Sequence, residues 1–270
     1  MVLPASGQIS INQIHVEAGG SSGSQVKLSD TDVKDLVGAD NNNTALSDYY
    51  GASASNILTT LRIGGGSTTT NQFPNCNASV APSGSKLIVV VVLMRVQSGT
   101  GISNGPSSVT IGGQSATLRA ISNANVSSLS YGHINSIWTL DTNLGGTQLV
   151  AGSAMTGTGN NSCHVYQIQG HITSTPVDFA SATNYTGTAA TSDTLSLSGA
   201  NGGAAIFGVT ASGFGGSSIS VSPSATVVNN TFSNLNHAGA HKFPTSSGST
   251  TYTFTNNQSG YFNIVAASFR

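Results

Sequence analysis

The chain has 270 residues, a formal net charge of −1, and only 6% charged residues, against roughly 25% in an average globular chain. With no basic stripe, this balance excludes nucleic-acid binding by phosphate neutralisation. No apolar run is long enough for a membrane-spanning helix. Polarity comes instead from hydroxyls and amides set among 33 glycines. Such a composition can mark low-complexity disorder. Against that stands the run LIVVVVLM at 87–94, which buries enough apolar surface to offset chain entropy. An ordered, β-rich chain is expected. The opening MVLPASGQ lacks the charged and apolar regions of a signal peptide, so the chain is expected to stay in the cytoplasm until its assembly leaves.

Residues 1–53 hold Glu17, Asp30, Asp32, Asp35, Asp40 and Asp48, six of the nine acids. That shift in charge predicts two domains, 1–53 and 56–270. The first contains a degenerate repeat, beginning at Ile9, at Val26 and at Thr44. Each copy has a short extended lead-in, a cap residue (Asn12, Ser29 or Ser47), a polar–apolar stretch, and a glycine (Gly19, Gly38 or Gly51). The caps suit a helix N-terminus and the glycines a C′ position. Ser29 with Asp32 approximates a capping box. Val33, Leu36 and Val37 form one apolar helical face. Helices this short are marginal alone, so they must pack on each other, on sister chains or on a partner.

From residue 56 the pattern changes to short apolar or alternating runs. Strands are predicted at 57–63, 86–97, 108–111, 116–121, 131–140, 147–150, 162–168, 194–197, 204–210, 219–221, 226–228, 250–254 and 261–269. Glycine-rich turns are predicted between them, including Gly64-Gly65-Gly66. This pattern reads as a β-sandwich, jelly-roll-like. The run at 87–94 does not alternate, so it needs cover on both faces, from a second sheet or from another subunit. Trp138 is expected as a core anchor.

The segments LPASGQISINQI at 3–14, VKLSDTDVKDLVG at 26–38 and ALSDYYGAS at 45–53 resemble an N-terminal module of tail-fibre and minor structural proteins of tailed phages. Pro4, Ser6, Gly7, Ile9, Ser10, Leu28, Ser29, Asp48, Tyr50 and Gly51 carry the likeness. The resemblance implies a virion structural protein, with this module tying a projecting domain to the particle. Its implied anchoring residues are Leu3, Pro4, Ile9, Ile11, Leu28, Val33, Leu36, Leu46, Tyr49 and Tyr50. Tail, neck, collar and head fibres all remain open. The partners it implies are other virion proteins, sister chains in a homotrimer, and a host surface glycan. The doubly apolar run at 87–94 is a second argument for the trimer.

No motif carries convincing catalysis, and the chain is expected not to be an enzyme. Gly101-Ile102-Ser103-Asn104-Gly105 and Gly19-Gly20-Ser21-Ser22-Gly23 match a nucleophile elbow, but neither sits between a strand and a helix. His237 and His241 lie four apart, as metal ligands can, yet no carboxylate completes the set; they read as loop or polar histidines, and no metal or cofactor is expected. Cys163-His164 lies in an apolar strand and reads as structural. Cys76 and Cys163 can form one disulfide, although cytosolic assembly favours two buried thiols. Asp141, Asp178 and Asp193 read as turn and loop residues, too sparse for glycan cleavage. Asp30 and Asp32 read as helix N-terminal charge. Tyr185, Phe214, Phe232 and Tyr252 are candidate sugar-contact aromatics that also suit core filling.

Overall fold

The computed structural model describes residues 10–17, 59–70, 72–82, 85–97, 105–126, 131–153, 159–171, 174–184, 189–199, 203–212, 218–232, 235–244 and 248–270. The chain divides into two units, Met1–Ile57 and Leu58–Arg270. The second and third repeat copies lie outside the described residues, as do Leu3, Pro4, Ile9, Leu28, Val33, Leu36, Leu46, Tyr49 and Tyr50.

In the first unit, helix α1 spans Ile11–Glu17. Its cap is Ser10 rather than Asn12. The Ser10 Oγ accepts the Gln13 N–H at 3.2 Å, and Gln13 Oε1 accepts the Ser10 N–H at 2.7 Å. This reciprocal pair satisfies two otherwise orphaned donors, where a lone cap satisfies one. Ile11 is therefore the first helical residue and is partly exposed, while Ile14 is buried.

The second unit is mainly β, and every strand pairing described is antiparallel. Its strands in chain order are β1 (Thr59–Thr68), β2 (Cys76–Val80), β3 (Lys86–Gln97), β4 (Val109–Ile111), β5 (Gln114–Ser115), β6 (Thr117–Val126), β7 (Tyr131–Thr142) and β8 (Gly146–Gly152). There follow β9 (Asn161–Gln169), β10 (Asp178–Thr183), β11 (Ala190–Gly199), β12 (Ala204–Ser212), β13 (Ile219–Ser222), β14 (Thr226–Phe232), β15 (Leu235–Lys242) and β16 (Gly248–Phe269). One sheet runs β5-β4-β8-β2-β1-β9-β3-β7-β6. The other runs β10-β16-β12-β15-β14, with β11 and β13 also pairing to β16.

Apolar side chains gather in three layers. Along β3, Ile88, Val90, Val92 and Met94 join Trp138 and Val165 in a core enclosed by the first sheet. Leu87, Val89, Val91 and Leu93 point the other way, against Ile206 and Val265 of the second sheet. Phe207, Tyr252, Phe254 and Phe262 fill a third core inside the second sheet. Both faces of β3 are thus covered by the chain itself, and the 87–94 run supplies no argument for a neighbouring subunit.

Several sequence expectations are corrected. Gly64-Gly65-Gly66 is not a turn, because β1 runs straight through it. A side chain on Gly64 would meet the Asn77 carbonyl and the Ala78 backbone of β2, so glycine here serves close backbone approach. Asp178 opens β10 and Asp193 lies inside β11, not in loops. His237 and His241 are on β15. The two strands expected at 250–254 and 261–269 are one, β16. Its first half pairs with β11 and β13, and its second half with β10 and β12.

Candidate functional site

The chemistry-bearing side chains meet in a polar layer between the two sheets. Strand alternation puts them there. On β9, Cys163 and Val165 face the first sheet's own core, while Ser162, His164 and Tyr166 face the second sheet. On β15, Ala238 and Ala240 face the second sheet's core, which turns His237, Gly239 and His241 toward β9. Gly239 sits where a side chain would strike the His164 ring and the Tyr166 hydroxyl. The two strands can lie against each other only because that position is bare.

Hydrogen bonds knit the layer. Ser162 Oγ lies 2.8 Å from His237 Nδ1. Asn135 donates to the Asn263 carbonyl at 2.6 Å, and its Oδ1 accepts the Thr210 hydroxyl at 2.7 Å. Asn263 accepts the Ser122 hydroxyl at 2.5 Å and donates to the carbonyls of Ser122 and His133 at 3.1 and 3.2 Å. Ser122, Asn135 and Asn263 thereby tie β6 and β7 to β16. Buried polar groups that are paired in this way fix the registry of the two sheets.

The imidazoles are held neutral. Burial pushes His133 down to about 3, with the Arg95 charge adding to it. Burial likewise brings His164 to about 3, helped by Arg62. His237 falls well below the usual histidine range through burial, and then through the neighbouring His133 and His164. Tyr166 is raised by burial.

A serine–histidine contact is the starting arrangement of a nucleophile and its base. Here Ser162 and His237 are both fully buried between the two sheets. The pair acts as an inter-sheet tie. The spacing of His237 and His241 does bring both to one face, where His237 packs edge-on to Phe232 and His241 edge-on to Tyr166 and Phe243. Among the described residues no group of three or more His, Cys, Asp or Glu is placed to hold a metal ion.

The remaining candidates disperse. Asp141 accepts from Ser85 and pairs with His171 at 3.2 Å. Asp178 accepts the Ser198 N–H, and Asp193 accepts the N–H of Thr194. Tyr252 is core, its ring tilted against that of Phe207 with centroids 4.7 Å apart. Tyr185, Phe214, Gly19-Gly20-Ser21-Ser22-Gly23, Asp30 and Asp32 lie outside the described residues, as does most of the 101–105 motif.

A surface feature went unread in the sequence. The outermost strands of the two sheets, β6 and β10, flank an open groove of ≈ 370 Å³ lined by Leu118, Arg119, Ala120, Ile121, Phe179 and Ala180. Phe179 is 64% exposed, and Leu118 and Ile121 are also exposed. The alternation of β10, DFASAT, is the signal that could have revealed it, but Asp178 read as a loop residue. No protein-family model, curated protein sequence or solved structure matches the chain.

Proposed function

We propose that the chain is a structural subunit of a tailed-phage virion appendage, a short tail fibre or spike. Residues 1–53 anchor it to other virion proteins, and the β-sandwich projects toward the host surface, where a glycan is the expected contact. The observation that carries this reading is the ordered series LPASGQIS, VKLSD and LSDYYG within residues 3–51, which resembles the attachment module of phage fibre proteins. The character of the projecting unit supports it: charge-poor, β-rich, and closed on its own side chains.

A second reading, a neck, collar or head-fibre piece with a purely structural role, draws on a specific observation. Each acid described in the sandwich is engaged in local hydrogen bonding, and the polar layer is sealed. The same observation leaves a glycan-cleaving spike least supported.

The appendage would be a homotrimer, with the groove between β6 and β10 as the contact between sister chains. Two outer strands side by side offer unpaired backbone groups, and Leu118, Ile121 and Phe179 add apolar surface that a neighbouring copy would cover.

The experiment is to compare virions carrying the full chain with virions made with a chain lacking residues 1–53, and to locate the full chain by cryo-electron microscopy. The expected result is a folded truncated protein that is missing from the particle. Incorporation of the truncated chain would overturn the anchor. Density at the distal tail favours host contact, and density at the neck or capsid favours the structural role.

A further inference from the structure

Cys76 and Cys163 are 87 residues apart in sequence, and their sulfurs lie 2.9 Å apart, buried, in the first sheet. Their strands are not neighbours, since β1 runs between β2 and β9. Side chains on strands flanking a middle strand ordinarily stand about 9–10 Å apart. What closes the gap is the glycine run of β1. Gly66 is the register partner of Cys163, and a side chain on it would touch the Cys76 Cβ and the carbonyls of Asn75 and Pro74. With that position bare, the thiols meet over the middle strand. The Cys163 sulfur also lies 3.2 Å from the Pro74 carbonyl, on the side toward β2.

We infer that Cys76 and Cys163 form an intramolecular disulfide when the folded chain meets a low-molecular-weight disulfide such as oxidised glutathione. The dithiol then becomes a covalent link between β2 and β9. The two thiols are not equivalent. The hydrogen bond from Cys163 lowers Cys76, and the Arg62 charge acts in the same direction, against burial. Cys163 is pushed well up by its bond to Cys76 and by burial. Cys76 is also the less buried of the two, between the exposed Asn75 and Asn77, so it is the attacking thiolate.

In the first step the Cys76 thiolate attacks one sulfur of glutathione disulfide. A bond forms between Cys76 and that sulfur, the S–S bond breaks, and one glutathione thiolate leaves. In the second, Cys163 gives its proton to solvent and its thiolate attacks the Cys76 sulfur, expelling the second glutathione thiolate. The protein loses two electrons and two protons, and glutathione disulfide gains them. The link closes a loop of 87 residues, and long loops restrict the unfolded chain most. This inference stands whether or not the appendage reading holds.

The test is made on the full chain, purified reduced, equilibrated with oxidised glutathione, then denatured, alkylated and weighed by mass spectrometry. The expected result is that both cysteines lose alkylation together, with a linked peptide joining Cys76 to Cys163. The denaturant midpoint should rise on oxidation and return on reduction. In C163S the reaction should stop at a glutathione adduct on Cys76. Wild-type protein whose cysteines both remain alkylatable, or which keeps a stable glutathione adduct, overturns the inference; that measurement needs no variant to fold.

Discussion

Val90 lies on β3 opposite Trp138 of β7 and Val165 of β9, and its side chain is fully buried in the core of the first sheet. A carboxylate there would have no partner among the surrounding apolar groups. An unpaired buried charge costs several kcal/mol, a large share of the ~5–15 kcal/mol that holds a domain together. V90D should therefore yield an insoluble or unfolded chain; a soluble V90D protein with a native circular-dichroism spectrum would refute the burial of β3. Lys86, at the start of the same strand, shows how a buried charge is tolerated. Its ammonium donates to the carbonyls of Ala81 at 2.6 Å and Leu144 at 2.8 Å, so it is hydrogen-bonded although it is buried.

At the scale of elements, β3 was legible from its composition alone, because eight consecutive apolar residues cannot be a half-exposed strand. What covers it was not legible, since the cover comes from strands far away in sequence. The weaker elements failed for a different reason. β2 reads CNASV and β15 reads LNHAGAHK, built from residues with low intrinsic strand preference, and each is held by its neighbours. β10 belongs to the same group, and its exposed Phe179 beside Leu118 and Ile121 marks the proposed contact between copies. F179R should leave the sandwich folded and shift the purified chain from trimer to monomer by mass photometry. A trimer that survives F179R together with L118R would place the contact elsewhere.

For the whole molecule, the three buried histidines make stability depend on pH in one direction. In the unfolded chain a histidine takes up a proton below its ordinary value of 6.5, whereas His133 and His164 in the fold do so only at about 3. Between those values the unfolded state binds more protons, so stability is complete above about pH 6.5 and declines as the pH falls. Protonating them in the fold costs several kcal/mol at the acid limit, a large share of the stability of a domain. The charges facing them, Arg95 at His133 and Arg62 at His164, act in the same sense. Trp138 fluorescence followed from about pH 8 to about pH 3 should show a cooperative loss of structure; native fluorescence throughout would show that the layer accommodates charge.

The sequence by itself determined that the chain is β-rich, that its polarity is uncharged, and that a strand at 86–97 must be covered on both faces. These follow from composition and periodicity, which act locally. It also placed Ser10 and Gln13 three apart, although the helix cap was read two residues too late, at Asn12. Only the tertiary structure decided that Gly64, Gly65 and Gly66 continue a strand, that Ser162 meets His237 while His164 packs over Gly239, and that Cys76 touches Cys163. Each of these depends on which strands become neighbours, and strand neighbours are selected by the packing of the whole sheet rather than by the residues next to them in the chain.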